Sequence, residues 1–283
     1  MSKEIKLIEC PRDAMQGWKT FIPTELKIEY LNQLLQVGFH TLDFGSFVSP
    51  KAIPQLADTA EVLKGLKLTS TKLLAIIANL RGAETAVQYN EIQYLGFPFS
   101  ISETFQQKNT NSSITESLKT VEAIQALCEQ HKKRLVIYIS MGFGNPYGDA
   151  YTTDIALQWV EQLNALGVGI FAMSDTVGVA TPATIQPIFE HLTREFPLLD
   201  IGAHFHSTPQ TAHEKLQAAF DHGCRRFDMA IGGIGGCPMA QDDLVGNMAT
   251  EHVLAFIHER KLPISINTEA LAKAQAIAAR IWH

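Results

Sequence analysis

Charge is scarce in this chain. Only 18% of its 283 residues are Asp, Glu, Lys or Arg, and the balance is acidic at −6. A nucleic-acid surface or an anionic membrane surface calls for a basic excess, so neither partner is expected. Cysteine is also sparse. The four present, Cys10, Cys128, Cys224 and Cys237, lack CxxC spacing, which argues against a disulfide framework or a cysteine zinc site. No apolar run approaches the length of a membrane span, and the opening Met1 to Lys6 carries neither an apolar signal core nor Arg-rich transit character. The expected address is cytoplasmic. Low-complexity tracts, charge blocks and long linkers are missing too, and nothing marks a second domain.

Apolar residues are plentiful at 46%, enough for a large core. Eight short β-rich runs can be read at 5–10, 41–47, 74–78, 91–97, 135–140, 169–173, 201–205 and 226–231. Helical patterns alternate with them at 24–37, 53–66, 81–89, 114–131, 153–166, 184–196, 211–222 and 247–259, with apolar residues three and four apart, as in Leu31, Leu34 and Leu35. Gly38, Gly167 and Gly223 punctuate helix ends. Eight such units read as one α/β domain over 1–283, a (β/α)8 TIM barrel, for which about 250 residues is typical. A doubly wound open sheet is the competing arrangement. An additional Ala-rich C-terminal helix, 268–282, is expected to pack outside the barrel or on a partner subunit.

A barrel gathers the C-terminal ends of its strands on one face, so the polar residues there carry the chemistry. The seventh run ends in Ala203-His204-Phe205-His206. Side chains two apart share a strand face, so His204 and His206 converge while Phe205 points away. The pattern alone fits an ordinary histidine pair as well as a metal site. Arg12 and Asp13 follow the first run, Asp43 and Ser46 lie in the second, Asp175 follows the sixth, and a glycine-rich stretch with Cys237 and Asn247 follows the eighth. Asp13 on its own also fits a turn aspartate, and Asn247 a cap of the last barrel helix.

Pro11-Arg12-Asp13, Ser46-Phe47-Val48-Ser49-Pro50-Lys51, Asp175-Thr176-Val177-Gly178, His204-x-His206 and Gly232-Gly233-Ile234-Gly235-Gly236-Cys237-Pro238 together resemble the 3-hydroxy-3-methylglutaryl-CoA lyase family of metal-dependent barrels. The resemblance runs from about residue 6 to 255. It implies a retro-Claisen cleavage releasing acetyl-CoA and acetoacetate, with Asp13, His204, His206 and Asn247 as metal ligands. Such a mixed nitrogen and oxygen set suits Mg2+ or Mn2+, with Zn2+ or Co2+ as alternatives. Arg12 is then the cation for the developing enolate, Asp43 its partner, Asp13 or His204 the base, and Cys237 the proton donor on a glycine-rich loop, 232–246, over the site. Gln16, Ser46, Asp175, Lys108 and Asn109 are the implied substrate-binding positions, and a homodimer and an acyl-CoA substrate are implied as well.

This chain departs from the family pattern in several places. Asp43 stands where the lyases have Glu, so its bond to Arg12 is expected to need a water or a backbone shift. Ser207 replaces an Asp, Ala172 replaces a Ser, and Ala14-Met15-Gln16-Gly17 replaces Gly-Leu-Gln-Asn. These changes leave open a lyase or aldolase for another 3-hydroxyacyl-CoA or hydroxy acid, or a catalytically silent barrel that holds metal and acyl-CoA.

Overall fold

The computed structural model describes residues 4–236 and 245–282. Eight strands run parallel in chain order: β1 (Lys6–Glu9), β2 (Thr41–Ser46), β3 (Lys72–Ile76), β4 (Ile92–Ser100), β5 (Arg134–Ser140), β6 (Ile170–Asp175), β7 (Asp200–Phe205) and β8 (Arg226–Met229). Lys6 to Glu9 of β1 pair with Arg226 to Met229 of β8, which closes the sheet on itself. Closure excludes the open doubly wound sheet and gives the (β/α)8 barrel.

Around it lie α1 (Pro11–Gln16), α2 (Thr24–Leu35), α3 (Thr59–Lys64), α4 (Leu80–Ala86), α5 (Glu103–Thr110), α6 (Ile114–Gln130), α7 (Thr153–Ala165), α8 (Pro182–Glu195), α9 (Pro209–Asp221), α10 (Thr250–Glu259) and α11 (Thr268–Ile281). Leu31, Leu34 and Leu35 of α2 are fully enclosed, each contributing roughly 1.5–3 kcal/mol of apolar burial. The C-terminal α11 packs on α2 of the same chain. Asn267 N–H caps the Val37 carbonyl at 2.9 Å, and Trp282 meets Trp18 edge-on with centroids 5.2 Å apart.

Besides the short α1, three stretches differ from the sequence pattern. The 53–66 helix is interrupted: a 3-10 turn, Pro54–Leu56, precedes α3, because Thr59 turns its hydroxyl to Leu56 O (2.8 Å) and accepts from Ser46 N–H (3.1 Å). Residues 103–110, outside the helical patterns, form α5, capped by Ser102, whose hydroxyl accepts from Phe105 N–H. The last barrel helix starts at Thr250 rather than Asn247, with Ala249 as its N-cap. The backbone of Asn247 is instead held in an antiparallel bridge to His206, with Ser207 N–H on Gly246 O and Met248 N–H on Phe205 O, both 2.9 Å.

The interior of the barrel is split. Leu74, Ile76, Val136, Tyr138, Ile170 and Ala172, from β3, β5 and β6, form an apolar cluster. Asp43, His204, Arg226 and Asp228 come from β2, β7 and β8 and are also buried. Glycine makes room for one of them: a Cβ at Gly202 would sit 2.7 Å from the Arg226 Cγ. Polar chemistry is therefore confined to one side of the barrel.

Glu9, at the end of β1, fastens that side to the segments after β8. It accepts from Ile231 N–H (2.8 Å) and from the Thr250 hydroxyl (2.6 Å) while fully buried. Burial outweighs both bonds and raises its carboxyl to about 8. A folded-state value above the unfolded one means stability is complete below the unfolded pKa and is lost as pH rises through about 8. From pH 6 to 8 the loss amounts to about 2 kcal/mol, or roughly 4–8 °C in Tm. Thermal melts of wild type should fall over that range more steeply than those of Glu9→Gln, and parallel curves would refute the assignment.

Candidate metal centre at the barrel mouth

β1 ends at Glu9, and Pro11 at the first position of α1 turns the chain at once into a helix, a place where its missing N–H removes nothing. This short helix buries Arg12 and Asp13 side by side. From β7 and the residue after it, the two histidine rings point the same way, with centroids 5.6 Å apart. Ligand atoms of Asp13, His204 and His206 all lie within 4.8 Å of one another, and all three residues are buried. The bridge to His206 brings in Asn247, whose amide N–H groups go to Asp13 Oδ2 (2.8 Å) and Ile234 O (2.9 Å). With both amide protons used, its carbonyl oxygen is the atom left to bind a cation. One carboxylate, two imidazoles and an amide oxygen fit a divalent metal.

The electrostatics suit that role. Burial alone would push Asp13 up, but Arg12, His204, His206 and the Asn247 amide bring it down to about 2, so it is a carboxylate at neutral pH. Burial, then the neighbouring His204, lowers His206 to about 4, leaving it neutral with a free lone pair. His204 is raised: burial pushes it down, but the hydrogen bond and charge of Asp228 outweigh it. Asp228 Oδ2 sits 3.2 Å from His204 Nδ1, which places the ring proton there and frees Nε2. Such carboxylate contacts fix the orientation of metal-ligating histidines.

Arg12 is gripped from three directions. Its Nε and Nη2 both donate to Asp43 Oδ2 (2.9 and 2.6 Å), and Nη1 donates to Asp13 Oδ1 and Gln16 Oε1 (2.8 Å each). The shorter Asp43 therefore reaches Arg12 with no intervening water, and β2 slips register against β3 between Asp43 and Gly45. Burial, partly offset by Arg12, raises Asp43 to about 6, and its Oδ1 has no hydrogen-bond partner. A glycine-rich turn closes against the pair: a Cβ at Gly235, whose φ is +98°, would meet Asn247 Nδ2 at 2.7 Å and Asp13 O at 2.8 Å. A cavity of about 450 Å³ opens beside Asn247, lined in part by Ser207, Thr208, Gly233 and His252. Another, of about 250 Å³, lies at the opposite end of the strands beside Lys6 and Asp200, far from these ligands.

The HMGL-like family model matches residues 5–277. This chain belongs to that family. It is 33% identical to a hydroxymethylglutaryl-CoA lyase of Bacillus subtilis, over 93% of this chain and 88% of the relative. Identity is 34% to a Pseudomonas aeruginosa protein named 3-hydroxy-3-isohexenylglutaryl-CoA/hydroxy-methylglutaryl-CoA lyase, over 97% and 91%. Among solved structures, an HMG-CoA lyase from Acenitobacter baumannii in complex with coenzyme A and 3-methylmalate superposes with a TM-score of 0.89 at 33% identity, covering 96% of this chain and 89% of that one.

Not every residue singled out in this HMGL-like sequence lies at the centre. Gln16 does, bonded to both Arg12 and Asp13. Ser46 donates its hydroxyl to Ile76 O at the end of the neighbouring β3 and accepts from Val48 N–H just beyond its own strand. Asp175 is enclosed, its two oxygens taken by Lys215 Nζ (2.6 Å) and Ala180 N–H (2.9 Å). Lys108 and Asn109 sit on α5, and the Lys108 ammonium lies 4.2 Å from the Tyr147 ring centre. Cys237 and most of the 232–246 loop lie outside the described residues. Asp228 and Lys215 were not anticipated. Asp228 carried a readable signal, since two charged residues at alternate positions of β8, Arg226 and Asp228, must share a face.

Proposed function

We propose that this HMGL-like barrel cleaves 3-hydroxy-3-methylglutaryl-CoA to acetyl-CoA and acetoacetate. The observation that carries the reading is the convergence of Asp13, His204, His206 and Asn247 beside Arg12. The names of the relatives support the substrate class. Mg2+ or Mn2+, held by those four residues, would acidify the substrate hydroxyl and orient it against a substrate carboxylate. Asp13 or His204, acting through a water, takes the hydroxyl proton, the bond between the carbinol carbon and the thioester α-carbon breaks, and its electron pair passes to the thioester as an enolate. Arg12, aimed by Asp43, holds the enolate oxygen. Cys237, which lies outside the described residues, is assigned the return of a proton to the enolate carbon. Ser46, Lys108 and Asn109 complete the acyl-CoA site, Asp175 being held by Lys215 instead, and a cytoplasmic homodimer belongs to the same reading.

Acetyl-CoA release from 3-hydroxy-3-methylglutaryl-CoA tests it. Chelator-treated protein should be inactive and regain turnover with Mg2+ or Mn2+. Turnover indifferent to chelator defeats the metal assignment. Metal binding with no turnover of any 3-hydroxyacyl-CoA makes the chain a binding protein.

A further inference from the structure

A second ligand set converges on the other side of the His204 ring. Cys10 Sγ, a His204 ring nitrogen and an Asp228 carboxylate oxygen lie within 4.8 Å of one another, all in buried residues. The proposed reaction has no use for Cys10. Its thiol makes one weak hydrogen bond, 3.6 Å to the Ile8 carbonyl. Asp228 is 2% exposed, and its Oδ1 has no hydrogen-bond partner, with the Arg226 Nη2 at 3.6 Å.

We propose that Cys10, His204 and Asp228 form a site for a thiophilic cation, Zn2+ or Cd2+, whose occupation withdraws His204 from the Asp13–His206 set. A sulfur, a nitrogen and an oxygen ligand with a fourth position open suit tetrahedral d10 ions. Thiolate and carboxylate together neutralise the double charge. The entering cation displaces the thiol proton to solvent and bonds His204 through Nδ1, the nitrogen facing Asp228. The Nδ1 proton is transferred to Nε2, so the ring stays neutral and Nε2 no longer offers a lone pair. One proton leaves per cation bound. Mg2+ and Mn2+ prefer oxygen ligands and gain little from sulfur, and the nearby Arg226 opposes a purely electrostatic bond. The competition rests on the metal centre proposed above; the bond to sulfur is read independently of it.

Cd2+ titrated into the chelator-treated full chain should give a thiolate-to-cadmium charge-transfer band in wild type and in Cys237→Ser. Cys10→Ser should lose the band, with Cys10→Ala as a second variant and circular dichroism as the check on folding. Bound Mn2+, followed by electron paramagnetic resonance, should be released by Cd2+ in wild type, and Cys10→Ser should require about tenfold or more Cd2+ for the same release. A band that follows Cys237, one that survives both Cys10 variants, or none at all overturns the site. Cd2+ binding beside undiminished Mn2+ overturns the sharing of His204. If neither Cys10 variant folds, the Cys237→Ser protein decides, since among the described residues Cys10 is the cysteine placed in such a ligand set. Failure of Mn2+ to bind would count against the metal centre, whereas the cadmium band, present or lost with Cys10, still decides the sulfur site.

Discussion

Arg12→Gln should lower kcat for cleavage of 3-hydroxy-3-methylglutaryl-CoA by about 10²–10³-fold, the usual consequence of losing a donor that faces developing negative charge. Arg12 has five N–H bonds to give. Two go to Asp43, one to Asp13 and one to Gln16, which leaves one on Nη2 for an enolate oxygen. The Asp43 grip sets the direction of that last donor, so charge without the fork should not suffice. Arg12→Lys is therefore expected to recover only a minor part of the rate. Mn2+ affinity should hold or rise in Arg12→Gln, because Asp13 keeps its Asn247 bond and no longer shares an oxygen with a cation. Removing the guanidinium also leaves buried Asp43 without its counter-charge, at a stability loss of about 3–5 kcal/mol. Rates must consequently be measured below the variant's lowered Tm. A folded Arg12→Gln with kcat within threefold of wild type would remove Arg12 from the chemistry.

Why the convergence of residues 12, 13, 204 and 206 was readable is a matter of periodicity. Alternation along β7 forces two histidines onto one face, and barrel closure carries the end of β1 to the end of β8. Neither step depends on detailed packing. The short helix α1 was not readable, because six residues make under two turns and show no repeat of apolar positions. α5 was hidden for another reason: Glu103, Gln107 and Lys108 expose a polar surface, and its buried contacts reduce to Phe105 and Gln106. Asn247 lies between Gly246 and Met248, where a cap and a bridge look alike in sequence. The tertiary pairing with His206 decided between them. Asp175 shows the limit most clearly. A carboxylate at a strand end reads as available to substrate, and only the fold reveals that Lys215, on α9, occupies it.

That lysine gives an expected effect on stability as large as that of Arg12. Lys215 is 1% exposed and donates to Asp175 Oδ2 (2.6 Å), His206 O (2.8 Å) and Gly178 O (3.0 Å), so one ammonium joins the end of β6 to the residue after β7. Lys215→Met keeps the length and apolar stem while removing the ammonium from one oxygen of a buried carboxylate and from two carbonyls. Breaking a buried pair on one side costs about 3–5 kcal/mol, which for a chain of this size lowers Tm by roughly 10 °C. Removing both charges should undo much of this. Burial already favours the neutral form of Asp175, raising its carboxyl above the usual range despite Lys215. Lys215→Met combined with Asp175→Asn keeps an acceptor for Ala180 N–H and should recover at least half of the lost stability. Because Lys215 also holds the His206 carbonyl, the double variant should still bind Mn2+ more weakly than wild type, separating positioning of the ligand from stability of the barrel. Equal Tm values for Lys215→Met and wild type would show that the clamp contributes nothing. Full Mn2+ affinity in the double variant would show that His206 is oriented without it.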